Sequence, residues 1–508
     1  MSLKNCLAGV FAMVCGILFN CSRGIAQDEK SFSKYYYVST AGSDSNPGTM
    51  TAPFKTIQKI DSLDLKPGTI VYFKAGETFN GTLTIGKNKT GSPTRWVAFS
   101  TYGVGKAIIN ADSVRAVSLY NSRFVIIMNL KLTGLGRKTG NHENGLAILN
   151  SRDIRVDNID ISGFQKSGLL IDSSSWVNCN GIFAHDNGSA GITVEGRGSK
   201  KDSRNIKIYG CRAENNPGDP TKLDNHSGNG IVVGHCTNVD IEECTATNNG
   251  WDMPRIGNGP VGIWCYEADS VRIKSCLSYE NKTSKGGADG GGFDLDGGTT
   301  NSVISYCYSY GNQGSGYCIF QYWGASPWHD NIICNNISEN DGTVSDSQGG
   351  MYIWNSSGNP RLFYNCKVYD NIVYNSKVAA LSFSEKSLNH NFEFYHNIFV
   401  GKDALIKGVD YFGTASFMGN DWWSLDSKFN AWGFKDFKAW ATKFGLEQMY
   451  GHVVGLNIDP GFKNPNITGI TTLGAVELFS GYRLSEASLL KKLFGGDLDQ
   501  AVFERRTF

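Results

Sequence analysis

Two aspartates separated by a single residue mark the segment of this chain whose spacing suits acid–base chemistry. They lie in Gly292-Phe293-Asp294-Leu295-Asp296. In an extended strand both side chains point to one face, with Cα atoms about 6.5–7 Å apart. Two carboxyl groups so close do not both ionise easily, so one pKa should rise and supply a general acid. The other carboxylate would act as a nucleophile or a base.

Paired carboxyl groups of this kind carry out glycosidic-bond hydrolysis. Separations of about 5–5.5 Å are typical of retaining enzymes and about 6.5–9.5 Å of inverting ones, and the pair leaves both stereochemistries open. Asp289, in the preceding glycine-rich turn, could fold back over the same face as an alternative partner, or it could be an ordinary turn residue. Glu267 is a third-ranked carboxylate beside the preceding strand.

Aromatic residues occupy the equivalent outward positions before and after the acidic pair. Exposed strands have no folding reason to stack large rings on the solvent side, whereas the floor of a sugar-binding groove does. We therefore expect substrate-binding residues on and beside these strands: Trp264, Tyr266, Glu267, Phe320, Gln321, Tyr322, Trp323, Tyr352 and Trp354.

The acidic segment is one copy of an internal repeat. A glycine followed by alternating apolar residues recurs, starting at Gly145, Gly168, Gly191, Gly230, Gly262, Gly292, Gly316 and Gly350, with a degenerate copy at Ala380. Between these copies runs a second motif, apolar-x-Ile-x-x-Cys, followed by an asparagine. Equivalent residues of successive solenoid coils stack about 4.8 Å apart. The spacing therefore predicts a ladder of cysteines in the core and a ladder of asparagines at a turn.

The ten cysteines after residue 26 could instead form disulfides or a metal site. The sequence has no CxxC pair and no histidine at ligand spacing. We therefore interpret the cysteines as small apolar residues that stack in the core.

These patterns predict an all-β fold, a right-handed parallel β-helix (solenoid) with two strands per coil, an N-terminal helical cap and a small C-terminal helical and aromatic cap. The first cap is expected at Ala52 to Ile60 and the second within 420–450, where the aromatic residues are mostly buried. The predicted organisation is 1–26 signal peptide, 27–110 N-terminal cap and first coils, 111–410 β-helix repeats and 411–508 C-terminal cap region.

Residues 1–26 are typical of a secretory signal, with Lys4, an apolar run from Leu7 to Phe19 and a small-residue cleavage site. We expect a secreted or periplasmic protein, with lipid attachment at Cys21 the less favoured alternative. No integral membrane segment is expected after signal removal. The 48 basic and 47 acidic residues nearly balance, so nucleic acid is not an expected partner. A monomer with a carbohydrate substrate is expected.

Four further segments are informative: Tyr36 to Thr49, Ala52 to Ile57, Pro67 to Phe73 and Asp289 to Gly298. They resemble secreted bacterial right-handed β-helix proteins of the pectate-lyase-like superfamily. The resemblance implies the fold and a carbohydrate context, because this class includes polysaccharide lyases and glycoside hydrolases. The polygalacturonase pattern is not matched, since Gly234-His235-Cys236 and Arg272-Ile273-Lys274 precede the aspartates.

Three functions remain open at this point. A glycoside hydrolase requires no cofactor. A polysaccharide lyase or epimerase acting on a uronic-acid polymer could use Ca²⁺ held by the aspartates, together with a base and a cation. Candidates for those roles lie in flanking turns: Arg255, Lys282, Lys285, His226 and His329. The third alternative is a non-catalytic glycan-binding β-helix.

Overall fold

The computed structural model describes residues 32–198, 201–384, 388–402, 404–408, 413–426, 428–465 and 481–494. The predicted signal peptide and Cys21 lie outside the described residues. The described chain forms three long parallel sheets of 14, 12 and 13 strands, named here sheets A, B and C. Each coil passes from sheet B to sheet A and then to sheet C. The predicted parallel β-helix is confirmed.

The strands of each sheet follow one another in chain order. Sheet A contains Lys34–Val38, Thr69–Lys74, Val97–Tyr102, Arg123–Met128, Arg152–Asp157, Ser175–Asn180, Ser203–Tyr209, Cys236–Glu242, Asp269–Lys274, Val303–Ser305, Trp328–Cys334, Phe363–Tyr369, Asn389–Tyr395 and Gly413–Met418. Sheet B contains Leu83–Ile85, Val117–Tyr120, Leu146–Leu149, Ser167–Asp172, Ala190–Glu195, Asn229–Gly234, Val261–Tyr266, Gly291–Leu295, Tyr317–Gln321, Gly349–Asn355, Ala379–Phe383 and Ile406–Lys407. Sheet C contains Thr78–Asn80, Ala107–Asn110, Leu130–Thr133, Asp160–Ser162, Phe183–His185, Arg212–Glu214, Thr245–Thr247, Leu277–Tyr279, Tyr308–Tyr310, Ile337–Glu339, Ile372–Tyr374, Ile398–Gly401 and Asp421–Ser424.

Each coil has three strands, so the prediction of two strands per coil is wrong. The strand that the prediction missed is the short one of sheet C. An example is Leu277–Tyr279, which lies between Cys276 and Asn281. The sequence motif that runs from cysteine to asparagine therefore spans a turn, a complete strand and the next turn.

The predicted ladders are present in the core and at the turns. The Cys211 amide donates to Sγ of Cys244 at 3.4 Å, and the Asn249 amide donates to Oδ1 of Asn281 at 3.2 Å. The ten cysteines of the described residues are all free and buried. Stacking between coils therefore satisfies the backbone at each turn, and the prediction of unpaired core cysteines is confirmed.

A short helix, α1 (Ile57–Asp61), lies at the N-terminal end of the stack, where Ile57 and Ile60 are buried in the continuous apolar core. Its N-cap is Thr56, whose Oγ1 accepts the Lys59 amide at 3.1 Å. The predicted cap helix from Ala52 to Ile60 therefore began too early, because the chain becomes helical only after this cap. The 3₁₀ turns Lys87–Lys89 and Pro360–Leu362 lie in connections.

The C-terminal end begins with a strand and not with the helix that was predicted over 420–450. Asp421–Ser424 is the last strand of sheet C, and helix α2 (Phe437–Phe444) follows it. Trp422 and Trp440 are fully buried with ring centroids 5.5 Å apart, so the expected burial of these aromatic residues is confirmed. A two-stranded antiparallel pair, Gln448–Met449 and His452–Val453, and helix α3 (Leu489–Phe494) complete this end. None of the helices in the described part of the chain combines the length and apolarity needed to cross a membrane.

Candidate functional site

A cleft of about 730 Å³ lies on the outer face of sheet B. Its floor comes from Val261–Tyr266, Gly291–Leu295, Tyr317–Gln321 and Gly349–Asn355. One wall comes from the long connections between sheets C and B, residues 215–228, 248–260, 280–290 and 340–348. The aromatic side chains on the outer face of these strands were expected to face solvent, and for two of them this is wrong. Trp264 is only 3% exposed and Phe320 only 6%, because neighbouring side chains pack against them, whereas Tyr266, Tyr352 and Trp354 are half-buried.

The outward-facing side chains that one strand of sheet B contributes are called a rung here. The rungs of the cleft floor stack in the order that the repeat predicts. Trp264 pairs with Asp294 on the next coil, and Asp294 pairs with Cys318. Cys318 pairs in turn with Tyr352, and Phe320 pairs with Trp354. Parallel in-register pairing therefore places the acidic rung between aromatic rungs on both sides.

Asp294 is almost completely buried in the floor of the cleft, at 2% exposure. Within the described structure its Oδ1 has no hydrogen-bond partner. Burial raises the pKa of Asp294 well above its ordinary value, and the nearby Asp296 and Asp289 raise it further. A buried carboxyl group without donors around it holds its proton, as a general acid must.

Asp296 follows the end of the strand and is partly exposed. Its Oδ1 accepts the Gly297 amide at 2.7 Å. Burial raises the pKa of Asp296 to about 7, with further contributions from Asp289 and Glu267, while the Gly297 amide opposes the rise. Asp296 is therefore the member of the acidic rung that ionises first near neutral pH.

Asp289 belongs to the wall of the same cleft. It has a left-handed backbone, with φ 60°, and its Oδ2 accepts the Gly259 amide at 2.6 Å. Burial raises the pKa of Asp289 as well. The glycine-rich turn thus brings Asp289, Asp294 and Asp296 to one cleft.

One end of the cleft is formed by the Trp264 and Tyr266 rung. Trp264 packs in a small apolar cluster with Ala190, Val232 and Val261, so little of its ring faces the cleft. Tyr266 lies beside it, with ring centroids 5.3 Å apart. Of this rung, Tyr266 therefore offers the larger free surface.

A polar network behind the cleft orients Tyr266. The Tyr266 hydroxyl donates to Oε2 of Glu195 at 2.9 Å, and Oε1 of Glu195 lies 2.7 Å from Nδ1 of His235. Gly234 makes room for this arrangement, because a Cβ there would lie 2.4 Å from Cζ of the tyrosine ring. The network fixes the direction of the ring in the cleft.

The other end of the cleft is formed by Phe320, Tyr352 and Trp354. Phe320 meets Tyr352 and Trp354 edge to face at 5.5 and 5.6 Å. Tyr352 and Trp354 are half-buried, so their rings are the ones that a flat apolar ligand face could contact. Tyr322 also lines the cleft, and its hydroxyl donates to Oε1 of Glu267 at 3.3 Å.

Residues 36–336 match the family model described as "Pel9A-like, right handed beta helix region". This chain belongs to the Pel9A-like β-helix family. The native GH136 lacto-N-biosidase from Eubacterium ramulus superposes on it with a TM-score of 0.52 and 16% identity, over 72% of this chain and 67% of that chain. At that identity the likeness shows the fold alone. No match was found among curated proteins.

Two further solved structures resemble the Pel9A-like chain more weakly. The pectate lyase Pel9A gives a TM-score of 0.43 at 18% identity, over 61% of this chain and 77% of that chain. The A-module of the mannuronan C-5 epimerase AlgE4 from Azotobacter vinelandii gives 0.46 at 14% identity, over 68% of this chain and 90% of that chain.

Three of the predicted substrate-binding residues of the Pel9A-like chain do not line the cleft. Gln321 is fully buried, and its amide accepts from Gly298 and donates to Ser326. Glu267 accepts the Ser326 amide at 2.8 Å and holds the same turn. Trp323 is 80% exposed outside the cleft. The structure therefore places Gln321 at the buried end of its strand, and Glu267 and Trp323 in the turns beside the cleft.

The cleft of the Pel9A-like chain has no lysine or arginine among its described lining residues. Lys282 instead donates to Asn248, and His329 stacks on Tyr364 beside sheet A. Within the described residues, no group of three or more His, Cys, Asp or Glu side chains is arranged to hold a metal ion.

Sequence reasoning named His226 only as a possible lyase base, and it did not select the other wall residues Ile256, Val344 and Gln348. They lie in connections of irregular length, outside the period-2 motif. The signal that could have located the wall is the extra chain between an asparagine of the ladder and the next strand of sheet B, as from Asn216 to Asn229.

Proposed function

We propose that the chain is an exported glycoside hydrolase in which Asp294 is the general acid and Asp296 is the nucleophile or general base. The observation that carries this proposal is a group of three neighbouring carboxyl groups in an aromatic-lined cleft, with Asp294 buried and Asp289 and Asp296 partly buried. Their pKa values are all raised. Such an environment keeps one carboxyl group protonated while a neighbour ionises, which acid–base cleavage of a glycosidic bond needs.

The reaction follows from these protonation states. Asp294 donates its proton to the leaving glycosidic oxygen as the bond to the anomeric carbon breaks. Ionised Asp296 either attacks that carbon or removes a proton from the attacking water. Asp289 is the alternative partner from the cleft wall. No cofactor takes part in these steps.

The substrate class that the cleft supports is an uncharged glycan. A uronic-acid polymer would bring carboxylates to a cleft that already contains three aspartates and whose described lining lacks lysine and arginine. Like charges oppose binding unless a cation neutralises them, and the cations closest to the lining residue His226, Lys222 and Arg255, do not themselves line the cleft. Since a structural relative is the GH136 lacto-N-biosidase from Eubacterium ramulus, host glycans belong in the first substrate panel beside plant and algal ones.

The test is reducing-sugar release from neutral plant, algal and host glycans by the wild-type chain and by Asp294→Asn, Asp296→Asn and Asp289→Asn. We expect Asp294→Asn and Asp296→Asn to lose activity by at least ~10³-fold with an unchanged melting temperature or a higher one. Asp330→Asn, a partly exposed aspartate at sheet A away from the cleft lining, is the matched control and should keep full activity. Full activity in both cleft variants would overturn the assignment.

The same panel separates the other functions. An unsaturated product detected by ultraviolet absorbance, together with loss of activity on adding a chelator, would identify a lyase. Glycan binding without any product would identify a binding module. Export is part of the proposal and rests on residues 1–26. Recovery of a mature chain lacking those residues from the periplasm or medium would support it.

A further inference from the structure

The amide of Asn229 has a fixed orientation at the end of the cleft. Its Oδ1 accepts two N–H groups, from Nε1 of Trp264 at 3.0 Å and from the Val261 amide at 3.2 Å. Indole and backbone nitrogens only donate, so this atom must be the carbonyl oxygen. The amide nitrogen Nδ2 therefore points the other way, to the Ser189 carbonyl at 3.2 Å and to Nδ1 of His226 at 3.0 Å.

This orientation settles the tautomer of His226. An amide nitrogen has no acceptor lone pair, so Nδ1 of His226 accepts the hydrogen bond and carries no proton. In the neutral ring the proton is then on Nε2. Burial lowers the pKa of His226 to about 4, with nearby Lys222 and Arg255 adding to the effect, so the ring is neutral at physiological pH.

The Nε2 proton is free to meet a ligand. The side-chain hydrogen bond of His226 uses Nδ1, and the half-buried ring lines the cleft with Nε2 hydrogen-bonded to no described residue. The ring is held edge to face against Trp264 and Tyr266, at centroid distances of 4.6 and 5.9 Å.

We propose that His226 is a specificity-determining residue whose Nε2–H donates a hydrogen bond to an uncharged oxygen of the bound sugar, a hydroxyl or an amide carbonyl. This inference rests on the proposed function in that the cleft must hold a sugar. A neutral donor with a fixed direction favours a ligand that has an oxygen at one position, and it adds no positive charge that would attract a carboxylate. It gives the Trp264 end of the cleft a selectivity that aromatic stacking alone lacks.

The first measurement needs no sugar. In a chain labelled with ¹⁵N-histidine, nitrogen–proton correlation spectra identify the tautomer of each imidazole, and His226→Gln assigns the signal. We expect a neutral ring with its proton on Nε2. A proton on Nδ1 would overturn the inference and leave the roles of Asp294 and Asp296 untouched.

The second measurement uses Asp296→Asn, which should bind without turnover, with lacto-N-biose, N,N′-diacetylchitobiose and xylobiose as neutral probes and digalacturonate as the charged one. We expect a neutral disaccharide to shift the His226 Nε2–H signal. Combining His226→Phe with Asp296→Asn should weaken the binding of that disaccharide on the order of tenfold. His226→Gln should lose less affinity than His226→Phe, since the glutamine amide nitrogen can take the place of Nε2 as a donor.

His142, an exposed histidine in the corresponding connection of an earlier coil, supplies the matched control. His142→Phe should leave binding unchanged. A neutral disaccharide that quenches tryptophan fluorescence without shifting the His226 signal would overturn this inference alone. Preferential binding of digalacturonate, or no binding of any neutral probe, would overturn it together with the uncharged substrate class.

Discussion

At the residue scale, burial decides which carboxyl group acts as acid and which as base. The pKa of Asp296 is raised to about 7, and that of Asp294 stands well above its ordinary value. Ionised Asp296 becomes available only as pH rises through about 7, so kcat/KM should increase over that range. The rate should fall again at higher pH, when Asp294 loses its proton.

A pH–rate profile on the best neutral glycan checks this expectation. Asp289→Asn should move the acid limb to lower pH, because Asp289 contributes to the raised pKa of Asp296. An acid limb near the ordinary aspartate pKa of about 4 would contradict the role given to Asp296.

The floor of the site could be predicted from the sequence, whereas of the wall only Asp289 was assigned a place at the cleft. Asp294 and Trp264 stand at fixed positions of a period-2 motif, so in-register stacking determined which rung each would meet. His226 lies in an irregular connection, where no period fixes the direction of a side chain. Gln321 shows a second limit of prediction from the sequence. Its side chain is held by hydrogen bonds to Gly298 and Ser326, and the alternation within its own strand does not reveal these partners.

At the scale of the element, a glycine in one strand sets the ring position in the next. A Cβ on Gly234 would lie 2.4 Å from Cζ and 2.5 Å from the hydroxyl of Tyr266. Gly234→Ala should therefore push the ring from Glu195 and lower kcat/KM on the order of tenfold, since positioning is lost. The free energy of unfolding should fall by only about 1–2 kcal/mol.

Kinetics and chemical denaturation of Gly234→Ala test this prediction, with Tyr266→Phe as the comparison. Tyr266→Phe removes the hydrogen bond to Glu195 and keeps the ring, so its kcat/KM should fall less than that of Gly234→Ala. Equal activity of Gly234→Ala and the wild-type chain would show that the ring position is not needed.

The asparagine ladder holds the turn after sheet C. Asn281 is buried, and its side-chain amide donates to Oδ1 of Asn312 at 2.9 Å while its Oδ1 accepts the Asn249 amide at 3.2 Å. Asn281→Leu would leave the Asn249 amide without this acceptor. We expect a loss of about 2–4 kcal/mol in the free energy of unfolding. Denaturant titration checks it, with the exposed Asn180→Leu as a control that should change little.

The elements differ in how well the sequence specifies them. Most strands of sheet B are long enough for alternation to show, and the repeat glycines predicted their starts to within one residue. Sheet C was missed because a strand such as Leu277–Tyr279 is too short to establish a period. Its place is set by stacking on Thr245–Thr247 and Tyr308–Tyr310, which is a property of neighbouring coils.

At the scale of the whole molecule, one regular stack supports an irregular wall. The apolar core runs as a single cluster from Val38 near α1 to Trp440 in α2. Regular coils fix the register of the cleft floor. The connections between sheets C and B can lengthen without disturbing that core. The cleft therefore lies where several long insertions fall on consecutive coils.

The same regularity removes the need for disulfides. The ten cysteines of the described residues are free and buried, and burial raises the pKa of thiols such as Cys244 and Cys276 well above the ordinary value. A protonated, inaccessible thiol neither oxidises nor exchanges readily. The melting temperature should therefore be the same with and without a reductant, and a thiol reagent should label the chain only in denaturant. A melting temperature that falls on reduction would show that cross-links, and not stacking between coils, stabilise the chain.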